Sequence, residues 1–310
     1  MAEPVAGPAA GLAIEPVVDA VKSPTATGRP LLLCADDYGQ SSGVDGAIAE
    51  LVQAGRLNAF SVLGNAPAWP RDAALARGLR PRAQAGLHLN LTEGQPLSPA
   101  LARLWPQLPP LPRLIVAAHT GRLPLAALRD ELAAQWQAVA DGLGAAPDFI
   151  DGHQHVHHLP GVRRLLLDWL AAHPVPVRST ARLGGPGFGL KRLLIAGTGG
   201  WPLGRALRRQ QRPHNALLLG AYDFVATDYR ALMRGWLAQV PAEGALLFCH
   251  PGRPTADADA AAGRPSDAPP DAIAAARVRE LAYLASDDGP RDLAQAGVVL
   301  APLWAAPPAR

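Results

Sequence analysis

A chain of 310 residues, 49% hydrophobic but only 5% aromatic, can bury a full core built mainly from Ala, Leu and Val. A net charge of +3 is too small to imply a nucleic-acid partner, and two cysteines, Cys34 and Cys249, cannot form a disulfide framework and read as reduced thiols. No stretch approaches the ~18–20 consecutive apolar residues of a membrane helix, so no transmembrane segment is expected.

Residues 1–29 are rich in Ala, Pro and Gly and carry Glu3, Glu15 and Asp19. They lack the basic start and clean apolar core of a signal peptide, so they read as a poorly ordered tail, with the cytoplasm as the expected compartment. Apolar or β-branched runs then predict strands at 30–35, 57–64, 85–91, 148–152, 175–179, 244–250 and 297–303. Helical patterns fall between them at 44–55, 125–143 and 161–173; in the second, Leu125, Leu128, Leu132, Trp136 and Val139 recur at helical spacing. Gly55 and Gly142 read as helix stop signals. The alternation argues for a parallel sheet, open or closed into a barrel. The Pro-, Asp- and Ala-rich stretch 251–271 reads as a loop or lid, because a helix and a strand still follow it. Residues 30–310 read as one domain.

The first strand, "LLLCADDYG", runs into two adjacent carboxylates, Asp36 and Asp37. Neighbouring carboxylates repel, and burying one without a partner is costly. Either the pair is a polar turn that caps the next helix, or a cation lies at the strand end. Other polar residues end other strands: His88 in "AGLHLNL", Asp151, His153 and His155 in "DFIDGHQH", Arg178 in "VPVR" and His250 in "LLFCH". In parallel α/β folds the carboxyl ends of the strands form one rim, where sites are built. A divalent cation on that rim answers the paired acids. One carboxylate and two neutral imidazoles make a three-ligand site with open positions, as hydrolytic metals require. If "HQHVHH" is extended, His153, His155 and His157 share a side. His119, His173 and His214 read as structural histidines.

The motifs "ADDYG", "GLHLNLTEGQPL", "DGHQHVHHLP", "NALLLGAYDF" and "LLFCHPGRP" resemble, in order, those of the YdjC/ChbG/HpnK family of carbohydrate deacetylases. The resemblance runs from about residue 30 to residue 303 and implies a distorted (β/α) TIM-like barrel. It also implies metal-dependent removal of N-acetyl groups from amino sugars, with one divalent ion as cofactor. Mg²⁺ follows from the resemblance, while mixed oxygen and nitrogen donors also suit Zn²⁺ or Mn²⁺. Carried over, Asp37, His88 and His153 are the ligands and Asp36 is the general base. Three departures bear on which sugar is accepted: "NAFSVLGN" in place of a Thr/Ser-rich strand, Gln154 within the histidine run, and the Gly- and Arg-rich residues 184–214.

Further roles follow on this reading. His250 is the candidate general acid; His155 is second in line and otherwise contacts substrate. Arg178 either holds Asp36 ionised or makes an ordinary salt bridge. Tyr222 and Asp223 either line the sugar site or close a turn. In residues 190–214, Lys191, Arg192, Arg205, Arg208, Arg209 and Arg212 alternate with Leu, Ile and Trp. That segment reads as a solvated basic face, with a flap meeting an anionic or lipid-linked glycan at a membrane surface as the alternative. Against the deacetylase stand a non-catalytic carbohydrate-binding protein and a metal-dependent hydrolase of another amide or ester. The expected partner is an N-acetylated sugar or glycolipid.

Overall fold

The computed structural model describes residues 28–254 and 271–304. Seven parallel strands form a curved half-barrel: β1 (Arg29–Tyr38), β2 (Ala59–Val62), β3 (Gln84–Leu89), β4 (Ile150–Gly152), β5 (Leu218–Leu219), β6 (Ala245–Cys249) and β7 (Val298–Leu300). Their order is β4-β3-β2-β1-β6-β5, with β7 paired to β1. One edge of β1 is shared: Arg29 to Leu31 align with Val298 to Leu300, and Cys34 onward aligns with β2. Between the strands run α1 (Ser42–Gln53), α2 (Trp69–Leu79), α3 (Pro99–Leu104), α4 (Leu111–His119), α5 (Leu125–Leu143) and α6 (Val162–Ala172). Then follow α7 (Gly189–Ile195), α8 (Trp201–Arg209), α9 (Tyr229–Leu237), α10 (Ala274–Ala285) and α11 (Asp288–Gln295). Among the described residues no helix is long and apolar enough to cross a membrane.

The strand alternation of two explains how the core is divided. Leu31, Leu33 and Ala35 of β1 belong to the large core under the helices. Leu32 and Cys34 face a second, smaller core on the concave side, with Ala59, Phe149, Leu218, Leu246 and Phe248. Strands buried on both faces read as unbroken apolar runs, which is why "PLLLCA" stands out in the sequence. Gly86 faces the concave side, where a Cβ would lie 2.3 Å from the Phe149 ring.

Several sequence expectations shift in detail. β1 begins at Arg29, one residue inside the expected tail; residues 1–27 lie outside the described residues. Most of the expected loop, residues 255–270, also lies outside them. The strand expected at 175–179 is reduced to bridges from Val177 to Ile150 and His214. A strand at Leu218–Leu219 was not expected, because two residues are too few to show a period. The helix 125–143 has its expected bounds, but Gly142 does not end it. Gly144, in the left-handed region at φ 70°, is the cap, whereas Gly142 lies against Trp69, where a Cβ would fall 2.3 Å from the indole.

Candidate metal centre

The same alternation that aims Leu32 and Cys34 into the concave side aims Asp36 there as well, one step nearer the carboxyl end. By the same rule Ser61, His88, Asp151 and His250 continue the concave faces marked by Ala59, Gly86, Phe149 and Phe248. An apolar layer thus gives way to a polar one at the strand ends. Asp37 should then point the other way. It does not, because its backbone is left-handed (φ 70°) and the β1–β2 register shifts between Ala35 and Tyr38. A non-glycine residue in that region is strained, and the strain puts both carboxylates on one rim.

Asp37 Oδ1 is the focus of the first cluster. His88 Nε2 lies 3.4 Å from it and His153 Nδ1 2.9 Å from it. The other nitrogen of each ring faces another carboxylate: His88 Nδ1 is 2.6 Å from Asp151 Oδ1, and His153 Nε2 is 3.1 Å from Glu93 Oε1. The first pair follows from register, since His88 and Asp151 are aligned across β3 and β4. The second depends on α5, where Gln135 and Glu131 bind the backbone of Asn90, Leu97 and Ser98 and so fix the loop that carries Glu93. Imidazoles that ligate metals characteristically hold their second nitrogen against a carboxylate or carbonyl in this way.

Asp37, His88 and His153 are buried, and one donor atom from each lies within 4.8 Å of the others. This donor set fits a divalent cation: one carboxylate, two imidazoles and an oriented outer shell. A second acidic group, Cys34, Asp36 and Asp151, is equally compact but already holds a cation. Arg178 donates to both oxygens of Asp36 at 2.6 Å, pairs with Asp151 at 2.6 Å and reaches Cys34 Sγ at 3.3 Å. It is fully buried, so it is not a surface salt bridge.

Electrostatics separate the groups. Burial alone would raise the Asp36 pKa, but Arg178 and then His88 outweigh it and hold the carboxyl well below its usual range. Asp37 is likewise depressed, with His153 and Arg277 overcoming burial. Burial opposes charge on His88 and His153, yet Asp151 and Asp36 raise His88 to about 10, and Asp37 raises His153 to about 9. Burial wins at His250, which falls to about 4 despite Asp37 and Asp36, and at His155, which falls well below its ordinary value.

The remaining candidates take distinct positions. His250 ends β6 with its ring edge-on to Phe224 at 5.2 Å, and its buried Nδ1 has no hydrogen-bond partner. The "HQHVHH" stretch is not extended but forms a 3₁₀ turn over His153–His158, with Gln154 and His155 left-handed. His155 therefore faces Phe248 (5.4 Å), while His157 Nε2 lies 2.9 Å from the Arg178 carbonyl. Tyr222 is buried and donates to Glu280 at 2.6 Å; Asp223 is exposed and accepts from Val225 and Ala226 in a turn. His119, His173 and His214 each lie near a backbone carbonyl, away from the cluster.

Four site neighbours escaped the sequence reading: Ser61 on β2, Glu93 in the loop after β3, and two residues on α10. Arg277 donates to Asp37 Oδ2 at 2.8 Å, and one turn later Glu280 accepts the His250 backbone N–H at 2.5 Å. Their signal was faint: Arg277, Glu280, Leu281 and Leu284 occupy one buried helical stripe, so two charges stand at core positions.

The scaffold and its rim define a class: a parallel α/β protein with an acid–imidazole group suited to a divalent cation beside a guanidinium-clamped acid. A family model described as YdjC-like protein matches residues 30–295, and the chain belongs to that family. A carbohydrate deacetylase of Mus musculus is 37% identical over 151 residues, 47% of this chain and 48% of that protein. A chitooligosaccharide deacetylase of Proteus mirabilis (strain HI4320) is 34% identical over 155 residues, 48% of this chain and 58% of its own. The chain thus spans about half the length of the curated relatives it matches. Among solved structures, a candidate cellobiose-phosphate cleavage protein of Enterococcus faecalis V583 superposes with a TM-score of 0.66 at 19% identity, covering 89% of this chain and 98% of that one. That likeness shows a shared fold.

Proposed function

We propose that the protein is a metal-dependent hydrolase that removes N-acetyl groups from an amino-sugar substrate, on a distorted (β/α) barrel. The observation that carries this reading is the paired arrangement around Asp37, in which each imidazole offers one nitrogen to a shared point and leans its other on a carboxylate. The relatives' printed names supply the substrate class. The bridges Ile150–Val177, Val177–His214 and Leu183–Leu218 support the barrel, since they continue the sheet beyond β4 and beside β5.

Asp37, His88 and His153 would hold the ion, for which the mixed donor set suits Mg²⁺, Mn²⁺ or Zn²⁺. When bound, such an ion supplies a water of lowered pKa and polarises the acetamide carbonyl. Asp36 is held ionised and oriented by Arg178 and by the Ser61 hydroxyl at 3.2 Å; so clamped it is a weak base, which takes the proton of an attacking water only in passing. His250 follows β6 with its Nδ1 4.0 Å from Glu280 Oε1 and without a hydrogen bond, and it is neutral at rest. Negative charge developing at the carbonyl raises its proton affinity, so the proton that Asp36 takes from the water can pass on to it and from it to the departing amine. His155 and Phe248 wall the same space.

The test is acetate release from a panel of N-acetylated sugars and glycolipids by metal-reconstituted protein. Release from an amino sugar, lost on chelation, is expected. Metal-loaded protein that binds sugars without releasing acetate would make it a binding protein, and cleavage confined to other amides or esters would move it to a different hydrolase class.

A further inference from the structure

Most short surface helices bury an apolar stripe and show their charges to water. α7 does the reverse. It has no buried residue, and Leu190, Leu193 and Leu194, spaced i, i+3 and i+4, are 71%, 53% and 58% exposed. Lys191 turns down instead, donating to the Tyr222 carbonyl and lying 4.5 Å over the Phe224 ring, while Arg192 donates to the Gly187 carbonyl just before the helix. Leucines thus face out from a helix whose charged groups are both engaged in hydrogen bonds.

The following segment fixes this orientation. At Gly199 a Cβ would fall 2.1 Å from the His158 carbonyl oxygen, and at Gly200 2.3 Å from that of Thr180. Thr198 Oγ1 lies 3.0 Å from His158 Nε2. The turn between α7 and α8 is therefore pressed backbone-to-backbone onto the end of the histidine turn. On α8, Trp201 is 53% exposed, and Arg205 and Arg208 follow it at i+4 and i+7, with Arg209 adjacent; all three arginines are exposed. Among the described residues none of these three guanidinium groups has a carboxylate or hydrogen-bond partner shown. An outward leucine face, followed after five residues by an exposed tryptophan and three unneutralised arginines, is complementary to one kind of surface.

We infer that the exposed face of α7 and α8 docks on an anionic phospholipid bilayer. Leucines and a tryptophan enter the acyl boundary by roughly 5–10 Å while arginines stay at the headgroups. Negative headgroups supply the charge that the protein does not. A second copy of the chain fits less well, because a two-fold contact on this face would bring two sets of Arg205, Arg208 and Arg209 together without acids between them. Docking would also set the wall of the candidate site near the bilayer, since Phe224, under Lys191, is in edge contact with His250. The inference does not depend on the reaction assigned to that site.

The experiment is co-sedimentation of the full chain with phosphatidylcholine vesicles, with and without phosphatidylglycerol, at low and high salt. Binding to the anionic vesicles is expected, weakened by salt. A Leu190→Ser/Leu193→Ser/Leu194→Ser variant should lose about a thousandfold in apparent affinity, at about tenfold per leucine. An Arg205→Gln/Arg208→Gln/Arg209→Gln variant should lose its preference for the anionic lipid. All six positions are exposed, and unchanged thermal unfolding of both variants verifies the fold. No wild-type binding at low salt, or equal binding by the leucine variant, overturns the inference. So does a dimer in solution that the leucine substitutions dissolve, which would assign the face to a second copy.

Discussion

Arg178 grips Asp36 with both terminal nitrogens at 2.6 Å, and neither residue is reached freely by solvent. A buried bidentate pair of this kind fixes an orientation as well as a charge. Breaking it from one side leaves an uncompensated ion in the interior, which is strongly destabilising. The pair therefore ties the candidate base to fold stability, and the two effects must be measured apart.

Asp36→Asn keeps the side-chain shape but removes the proton acceptor and one of the two Arg178 bonds, so its thermal unfolding is read as well. Activity should fall by at least ~10²-fold, the lower range for general-base catalysis, while metal stoichiometry stays at the wild-type value. Acetate release read beside elemental analysis checks this. A variant within a few fold of wild type with metal bound would remove Asp36 from the base role.

The ligand assignment separates inner from outer positions. His88→Ala, His153→Ala and Asp37→Asn should each lose bound metal, measured by elemental analysis, with the fold retained by circular dichroism. Glu93→Ala should bind metal about 10–100-fold more weakly by calorimetry, because it frees His153 Nε2 without removing a donor. Full occupancy in the histidine variants would sink the assignment.

His250→Ala tests the acid role by substrate choice. Loss of kcat should be large on acetamides and small on an activated acetate ester, whose leaving group needs little protonation. Equal loss on both would show that the residue serves position or stability, through its backbone contact with Glu280.

Acid sensitivity follows from the buried neutral histidines. Burial holds His157 and His158 at about 3, against an ordinary value near 6.5. As pH falls below about 6.5, the unfolded chain takes up protons on both residues and the folded chain does not. Stability is therefore full above that value and declines toward pH 3, by about 1.4 kcal/mol per pH unit for each histidine. Urea midpoints at pH 7 and pH 5 should differ accordingly. His157→Gln, which keeps a donor for the Arg178 carbonyl, should reduce the difference.

Much of this rim was legible because alternation in strands is strict. Once "PLLLCA" is a buried parallel strand, Asp36 must face the same side as Cys34, and His88, Asp151 and His250 follow on their own strands. Asp37 was legible as a residue type but not as a direction, since its orientation depends on a left-handed backbone that no spacing predicts. The shared side that an extended histidine stretch would give is lost for a similar reason: two consecutive left-handed residues, neither a glycine, rearrange its side chains. Arg277 and Glu280 gave only the faint signal of charges in a helical apolar stripe, with no strand end to place them. Glu93 lay within a recognised motif, yet its contact with His153 is made through a loop shaped by Gln135 and Glu131.

The shared edge of β1 has a consequence for how the chain acquires its structure. Leu31 aligns with Leu300, and the Ala301 amide donates to the Leu31 carbonyl at 3.0 Å, so the central strand is completed by the last of the described strands, about 270 residues further along. Pairings of such long range are slow to form, because chain closure must precede the contacts that reward it. During synthesis β1 and β2 can associate early, while the first half of that edge stays open and apolar until residues 298–300 emerge. An open apolar edge is a template for wrong partners, so refolding yield should fall with concentration, more steeply when β7 is weakened by a substitution such as Val299→Pro.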